Sequence, residues 1–289
     1  PACGSGAFPI GILQKIILLL QKIDPESKIW LEKILDDVKD PGIHCLLENK
    51  LKDDLDLTNY TRKLGIIRKS IYGVDIQPIA SDLSKLRCFL SLIVDEKIED
   101  HKENRGIHPL PNLEFKFVCA NTLIELPELK GQQIEIFEDL ENIERLERIR
   151  DSYFTSFGKE KLKLIEDFRS VQKEMFQNQL DNFQVWKNNE FNKSQTNTLT
   201  NWKPFSNEPS TWFDPDWMFG LKRGFDILIG NPPYIGQKKN NKIFQEVKQT
   251  EFGKKFHQRR MDYFYFFFHK GLDLLNPKGL LSFITTDYY

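Results

Sequence analysis

The chain has 289 residues, with 41 Lys or Arg against 42 Asp or Glu and a formal net charge of −1, so no overall charge excess marks it for nucleic acid or an anionic membrane surface. Hydrophobic residues make up 40%, enough for a substantial core in one large or two smaller domains, and no run approaches the ~20 apolar residues that span a bilayer. Cysteines 3, 45, 88 and 119 show neither C-x-x-C spacing nor the density of a secreted scaffold, which predicts reduced thiols in a cytoplasmic protein and no metal site.

The first segment reads Pro1-Ala2-Cys3-Gly4-Ser5-Gly6-Ala7-Phe8 and leads into a helix-like run over 9–23. Its glycines permit close approach of backbone to a ligand at a strand-to-helix turn. A chain that opens at a proline inside such a turn is expected to be a fragment. Residues 68–76 read as a strand ending in a carboxylate, Asp75, followed by Ile76. Over 78–94, Ile79, Leu83, Leu86, Leu90 and Ile93 fall at helical spacing, predicting a helix that lays this face on a sheet. Residues 115–122 read as a further strand, ending near Asn121 and Thr122.

Between 131 and 193 the pattern changes. Ile134, Phe137, Leu140, Ile143 and Leu146, and then Leu164, Phe168, Val171 and Met175, predict two long helices broken at Thr155-Ser156-Phe157-Gly158. Thirteen acids against ten bases, without aromatic and basic interleaving, favour a spacer between domains over a base reader. Residues 188–209 are polar and predict an exposed connector.

The apolar stretch Phe225-Asp226-Ile227-Leu228-Ile229-Gly230 predicts a strand that feeds directly into Asn231-Pro232-Pro233-Tyr234. Each proline locks φ at about −65° and removes an N–H, and the residue before it is pushed to extended geometry. The carbonyls of Asn231 and Pro232 can then converge on one NH2 group, with Tyr234 offering a π-face to a planar base. That is equipment for methylating an exocyclic amino group. Methylation at carbon 5 of cytosine needs a thiolate, typically after proline, and the chain has no Pro-Cys dipeptide. From 221 to 260 there are ten Lys or Arg, Lys222 and Arg223 among them, against Asp226, Glu246 and Glu251. This local positive charge suits phosphates flanking a flipped base. Beyond Arg260-Met261-Asp262-Tyr263 comes a helix whose Phe264, Phe267, Phe268, Leu272 and Leu275 are expected to face a sheet. Asn276-Pro277-Lys278-Gly279 is a turn signal, and 280–286 the next strand.

The Pro-Ala-Cys-Gly-Ser-Gly opening and Asn-Pro-Pro-Tyr, in this order, resemble amino-methyltransferases that use S-adenosylmethionine. More narrowly they resemble the adenine-specific (amino-N6) DNA methyltransferases of restriction-modification systems, including the fused type IIG kind; residues 212–219 are similar to the segment before the catalytic strand in those relatives. The resemblance implies an α/β fold, the doubly wound, mainly parallel sheet of class I methyltransferases, with the central first strand before Pro1 and later parts after Tyr289 missing. It implies either two strand groups separated by a gap of roughly 10 Å, about two strand spacings, or a collapsed, altered sheet. It divides the chain into a cofactor-binding half (1–130), a helical insert and connector (131–210) and a catalytic half (211–289). The implied cofactor-binding residues are Pro1, Ala2, Cys3, Gly4, Gly6, Asp75 for the ribose hydroxyls, Ile76, and Asn121 and Thr122 at the adenine end. The implied catalytic residues are Asn231, Pro232, Pro233 and Tyr234. Expected partners are double-stranded DNA and a fused or associated restriction nuclease and specificity domain, with the isolated fragment inactive. A release-factor glutamine methyltransferase shares Asn-Pro-Pro-Tyr but is compact and lacks this opening. An RNA methyltransferase and a non-catalytic cofactor- or DNA-binding remnant also compete with the DNA enzyme on these residues.

Overall fold

The structure, a computed structural model, describes residues 1–36, 44–45, 47–49, 51, 55–96, 98–125, 140–183, 198, 201–206 and 208–286. Helix α1 (Ala7–Ile23) starts from Gly6, whose φ of 84° is left-handed. A Cβ on Gly6 would lie 2.8 Å from the Ser84 Cα, so glycine is required there both for its conformation and for space. Helices α2 (Lys28–Leu35) and α3 (Leu55–Ser70) follow, and then β1 (Gly73–Asp75), α4 (Pro78–Ile93) and β2 (Phe117–Cys119). Gly73 is again a matter of space, since a Cβ would meet the Phe117 ring at 2.6 Å.

Strand β1 pairs in parallel with β2, Gly73 opposite Phe117 and Asp75 opposite Cys119. Such a parallel pair needs a crossover, which α4 supplies. Strand β3 (Phe225–Gly230) pairs in parallel with β4 (Leu275–Phe283), and α10 (Phe264–Leu274) runs directly into β4. The two pairs form separate two-stranded sheets, the two strand groups expected from the sequence. The chain's first residues lie between them. Cys3 N–H donates to the Val74 carbonyl at 3.1 Å, and a Cβ on Gly230 would come within 2.7 Å of the Pro1 carbonyl oxygen.

The long helices α5 (Leu140–Thr155) and α6 (Gly158–Phe183) break where the sequence placed the break. Their inner faces, with Leu146, Ile149, Tyr153, Phe168, Val171 and Met175, share one core with Val74, Val118, Trp212, Phe213 and Leu228. The hairpin thus shares a core with strands of both sheet pairs. Ile134 and Phe137, the side chain of Leu140 and most of the 188–209 connector lie outside the described residues. A second core joins Leu13, Ile67, Cys88, Leu92 and Phe117. Beyond the short α7 (Pro215–Phe219), a third gathers Phe244, Val247, Phe252, Tyr263, Phe266 and Phe267 from α8 (Asn241–Lys248), α9 (Glu251–Phe256) and α10 with the residue just before it. Each phenylalanine buried there contributes about 1.5–3 kcal/mol by leaving water.

Four sequence expectations need correction. Residues 68–70 are the last turn of α3, and the strand is only Gly73–Asp75. Leu64, Ile66, Ile67 and Ile71 all pack into one core at helical spacing, and the partner strand is itself three residues long. Residues 115–116 likewise precede β2, in the turn that Leu113 closes by accepting from Lys116 and Phe117. On α4 the expected face is turned outward: Ile79, Leu83, Leu86 and Leu90 are exposed, while Ala80, Ser81, Ser84, Cys88 and Leu92 are buried. The helix approaches the Gly6 turn too closely for branched side chains, and its serines satisfy backbone carbonyls. Ser81 Oγ donates to Phe117 O at 2.9 Å and Ser84 Oγ to Gly4 O at 3.2 Å. On α10, Leu272 is exposed and Phe266 and Leu274 are buried. The 276–279 turn signal survives as an irregularity within β4: Leu275 pairs with Phe225 and pairing resumes at Leu280 with Ile227.

Candidate active site

The candidate residues arrive at the carboxyl ends of β1, β2 and β3 and in the chain's opening loop. From β1 comes Asp75, whose Oδ2 accepts the Gly4 N–H at 2.9 Å and whose Oδ1 accepts Gln77 N–H at 3.0 Å. Each carboxylate oxygen retains a second lone pair for another donor. Gly6 N–H donates to Cys3 O at 3.1 Å, which closes the loop as a tight turn. Ala2 and Gly4 both have left-handed φ, 51° and 55°; for alanine that conformation carries strain. No heavy atom lies within 4 Å of a hypothetical Gly4 Cβ, so this backbone faces open space. Ile76, beside the carboxylate, is 55% exposed.

From the end of β2, Ala120 N–H donates to Asp75 O at 2.8 Å. Asn121 and Thr122 are buried. The Asn121 side chain does turn chemistry: its Oδ1 accepts Leu123 N–H at 3.2 Å. The amide oxygen keeps one further lone pair.

From β3, Gly230 delivers Asn231 exposed, Pro232 buried, Pro233 half-buried and Tyr234 48% exposed. The Tyr234 ring stands edge-on to Phe264, centroids 6.1 Å apart. Its hydroxyl reaches Asn231 Oδ1 and Ile284 O, each at 2.8 Å. Ile284 N–H in turn donates to Gly230 O at 3.1 Å. The loop that follows is held by Tyr263 N–H donating to Ile235 O at 2.9 Å and by the antiparallel bridge of Gly236 with Asp262. The run is therefore fixed at both ends, leaving the amide and one aromatic face in contact with solvent.

Thus Asp75 touches Gly4, and the Gly4 loop through Pro1 touches the strand that carries Asn231. Cysteine chemistry is absent from this cluster. Burial raises the Cys3 thiol above its ordinary value, and burial, with the Asp75 charge second, pushes Cys119 up to about 11. Neither is a thiolate at neutral pH. Among the described residues no cluster of His, Cys, Asp or Glu could hold a metal ion, and no helix is long and apolar enough to cross a membrane.

Of the basic residues counted around the tetrapeptide, Lys238, Lys242, Lys255, Arg259 and Arg260 are exposed. Lys222 is spent elsewhere, pairing with Glu147 of α5 at 2.9 Å, and Lys254 pairs with Glu251 at 3.0 Å. Sequence reasoning missed two positioning residues. Ser84 props the glycine loop through Gly4 O, and its smallness among larger neighbours on α4 is the only signal. Lys270, 3% exposed, pairs with Glu125 and ties α10 to the segment leaving β2; a lysine inside Phe264-Tyr265-Phe266-Phe267-Phe268-His269-Lys270 was visible as an anomaly.

A family model described as Eco57I restriction-modification methylase matches residues 69–289. A protein of Methanocaldococcus jannaschii with the provisional name of a type II restriction enzyme and methyltransferase is 28% identical over 341 aligned positions, covering 98% of this chain and 25% of that protein. The chain spans about a quarter of the length of this curated relative. No solved structure matches it.

Proposed function

The chain belongs to the Eco57I restriction-modification methylase family, and on that premise we propose that it transfers a methyl group from S-adenosylmethionine to adenine N6 of double-stranded DNA. The observation that carries the reading is the single contact chain from Asp75 through Gly4 and Pro1 to Gly230 and Asn231. It brings a carboxylate suited to ribose hydroxyls and an amide suited to an amine to one loop cluster. In this reading the two strand pairs are halves of one doubly wound, mainly parallel sheet, with ligands at its carboxyl edge. Residues 1–130 form the cofactor half and 211–289 the catalytic half, with the insert and connector of 131–210, which carries the hairpin of α5 and α6, between them.

The residues present fit the cofactor. The open backbone at Gly4 leaves the space a side chain would fill, Asp75 has acceptor capacity left, exposed Ile76 offers an apolar surface to a flat base, and Asn121 and Thr122 flank it. When bound, S-adenosylmethionine supplies an electrophilic methyl group. The protein's part is orientation: Asn231 Oδ1 and the Pro232 carbonyl accept the two amino hydrogens and leave the nitrogen lone pair free, and Tyr234 stacks on the base. Because N6 is buried in a duplex, the base is flipped out, and Lys238, Lys242, Lys255, Arg259 and Arg260 take the flanking phosphates. The raised cysteine thiols support an amino-nitrogen target over carbon 5 of cytosine. The relative's name joins a restriction enzyme to a methyltransferase, which supports a nuclease, fused or associated, as a partner.

The test is methylation of duplex DNA by the complete protein with labelled S-adenosylmethionine, followed by mass spectrometry of the nucleosides. N6-methyladenine is the expected product. Label on cytosine, on RNA alone or on a release factor overturns the assignment.

A further inference from the structure

At the opposite edge of the first sheet, where β1 and β2 begin, lies a cleft of about 580 Å³. Strands of three residues separate it by ~10 Å from the Asp75 site. Its charged lining is unbalanced: Arg68 and Lys69 from α3, Lys116 just before β2 and Arg150 from α5 face Glu147 and Asp151 of α5. Both acids already have cationic partners. Glu147 pairs with Lys222 at 2.9 Å, and Asp151 Oδ1 lies 3.8 Å from Arg68.

Two of the cations are held in place. Arg150 Nη1 donates to the carbonyls of Trp217 at 2.7 Å and Asp216 at 3.2 Å. Gly220, with φ of 75°, lets the chain pass close by, since a Cβ there would sit 3.3 Å from the guanidinium carbon. Lys116 Nζ lies 3.9 Å over the Tyr72 ring, and no hydrogen-bond acceptor for it is found among the described residues. With a π-face and the attraction of Asp151, which also lies 3.8 Å from Arg68, the ammonium keeps its three N–H donors open to an anion. Tyr72, stacked in a tilted arrangement on Phe219 at 5.0 Å, gives the cleft an apolar wall beside its cations.

We infer that this cleft is a second ligand site, which takes a phosphate group between Lys116, Arg150 and the Arg68–Lys69 pair. Guanidinium forks match the oxygens of a tetrahedral anion and the lysines add point charge. The source is either a free nucleotide or a phosphodiester of the DNA itself. Burial supports the need for a counter-charge, because it pushes the Lys116 ammonium down to about 7. The groups facing Lys116 are Arg68 and Lys69 on α3, Tyr72 ahead of β1, and Glu147, Arg150 and Asp151 on α5. The lowered Lys116 value falls near neutral pH, so this group carries the pH response of anion binding. An anion that needs the ammonium binds fully below about pH 7 and more weakly as pH rises past it.

Calorimetric titration of the full chain with sodium sulfate in a chloride buffer tests the site, because sulfate is a tetrahedral dianion whose own charge is constant across neutral pH. Saturable binding that weakens with rising pH is expected, with a loss of roughly tenfold in Lys116→Met. Absence of saturable binding, or unchanged affinity in Lys116→Met, overturns the proposal. Should that variant lose its native circular dichroism, Arg68→Gln at the rim serves instead, with the same two outcomes. Competition then assigns the source: displacement of sulfate by ATP alone identifies a nucleotide site, and displacement by a short duplex alone identifies a DNA phosphate. Displacement by neither overturns the phosphate assignment.

Discussion

The Tyr234 hydroxyl lies 2.8 Å from the side-chain oxygen of Asn231, the oxygen assigned to the target amine. A hydroxyl has one proton, and Ile284 O stands at the same distance, so it donates to one of these two acceptors at a time. The bond orients the amide and also occupies one of its two lone pairs. Tyr234→Phe should therefore keep the stacking face and most of the activity, whereas Tyr234→Ala should lose roughly 1–3 kcal/mol of base binding. Titration with a duplex holding an unpaired target adenine measures this. An alanine variant that unfolds while a surface control stays folded would make the ring a core residue.

Asn231→Ala should lower single-turnover methyl transfer on the order of 10²-fold, the usual loss for one group that stabilises a transition state. Cofactor affinity should change little, because Asn231 comes from the strand pair that does not carry Asp75. Turnover near wild type removes Asn231 from the mechanism.

Asp75→Ala deprives Gly4 and Gln77 of their side-chain acceptor and, on the proposed function, the cofactor of its ribose partner. Cofactor binding, measured by calorimetry, should weaken at least about tenfold. Retained affinity would leave Asp75 as turn chemistry.

Two glycines of the same helical region should respond with opposite sign. Gly6→Ala combines a left-handed φ with a Cβ 2.8 Å from the Ser84 backbone and should cost about 2 kcal/mol or more. Gly11, inside α1 with nothing within 4 Å, should gain roughly 0.5–1 kcal/mol as alanine. Thermal melts of both variants check the pair.

Lys116 also predicts how stability depends on pH. Its folded-state value of about 7 lies below the ordinary 10.5, so between these values the unfolded chain binds the extra proton and stability rises with pH. The penalty of burying the ammonium is present in full below about 7. Lys116→Met should thus raise the melting temperature at acid pH and progressively less as the medium becomes alkaline, in buffers free of phosphate. An equal effect at every pH would show that the charge is not buried.

The strands that end in chemistry were legible because short apolar runs stop at polar or rigid residues: Asp75, and Asn231 before two prolines. Helix spacing found α5 and α6 and the break between them. What the pattern could not show was which side of α4 faces inward. Hydropathy selects Ile79, Leu83, Leu86 and Leu90, but close approach to the glycine turn selects Ser81 and Ser84, and the steric limit wins. Nor could a sequence distinguish the Lys222 that pairs with Glu147 from the lysines beside the tetrapeptide, since charge counts carry no direction.

The outward face of α4 runs from Ile79 to Val94, ~22 Å at the helical rise. Together with Leu18, Leu19 and Ile23 of α1, it is apolar surface left in contact with water. Kosmotropic salts strengthen apolar association, so sulfate at salting-out concentration should favour association through this ridge. A change from Leu83 or Leu90 to lysine would then raise the precipitation threshold while leaving the melting temperature where it was.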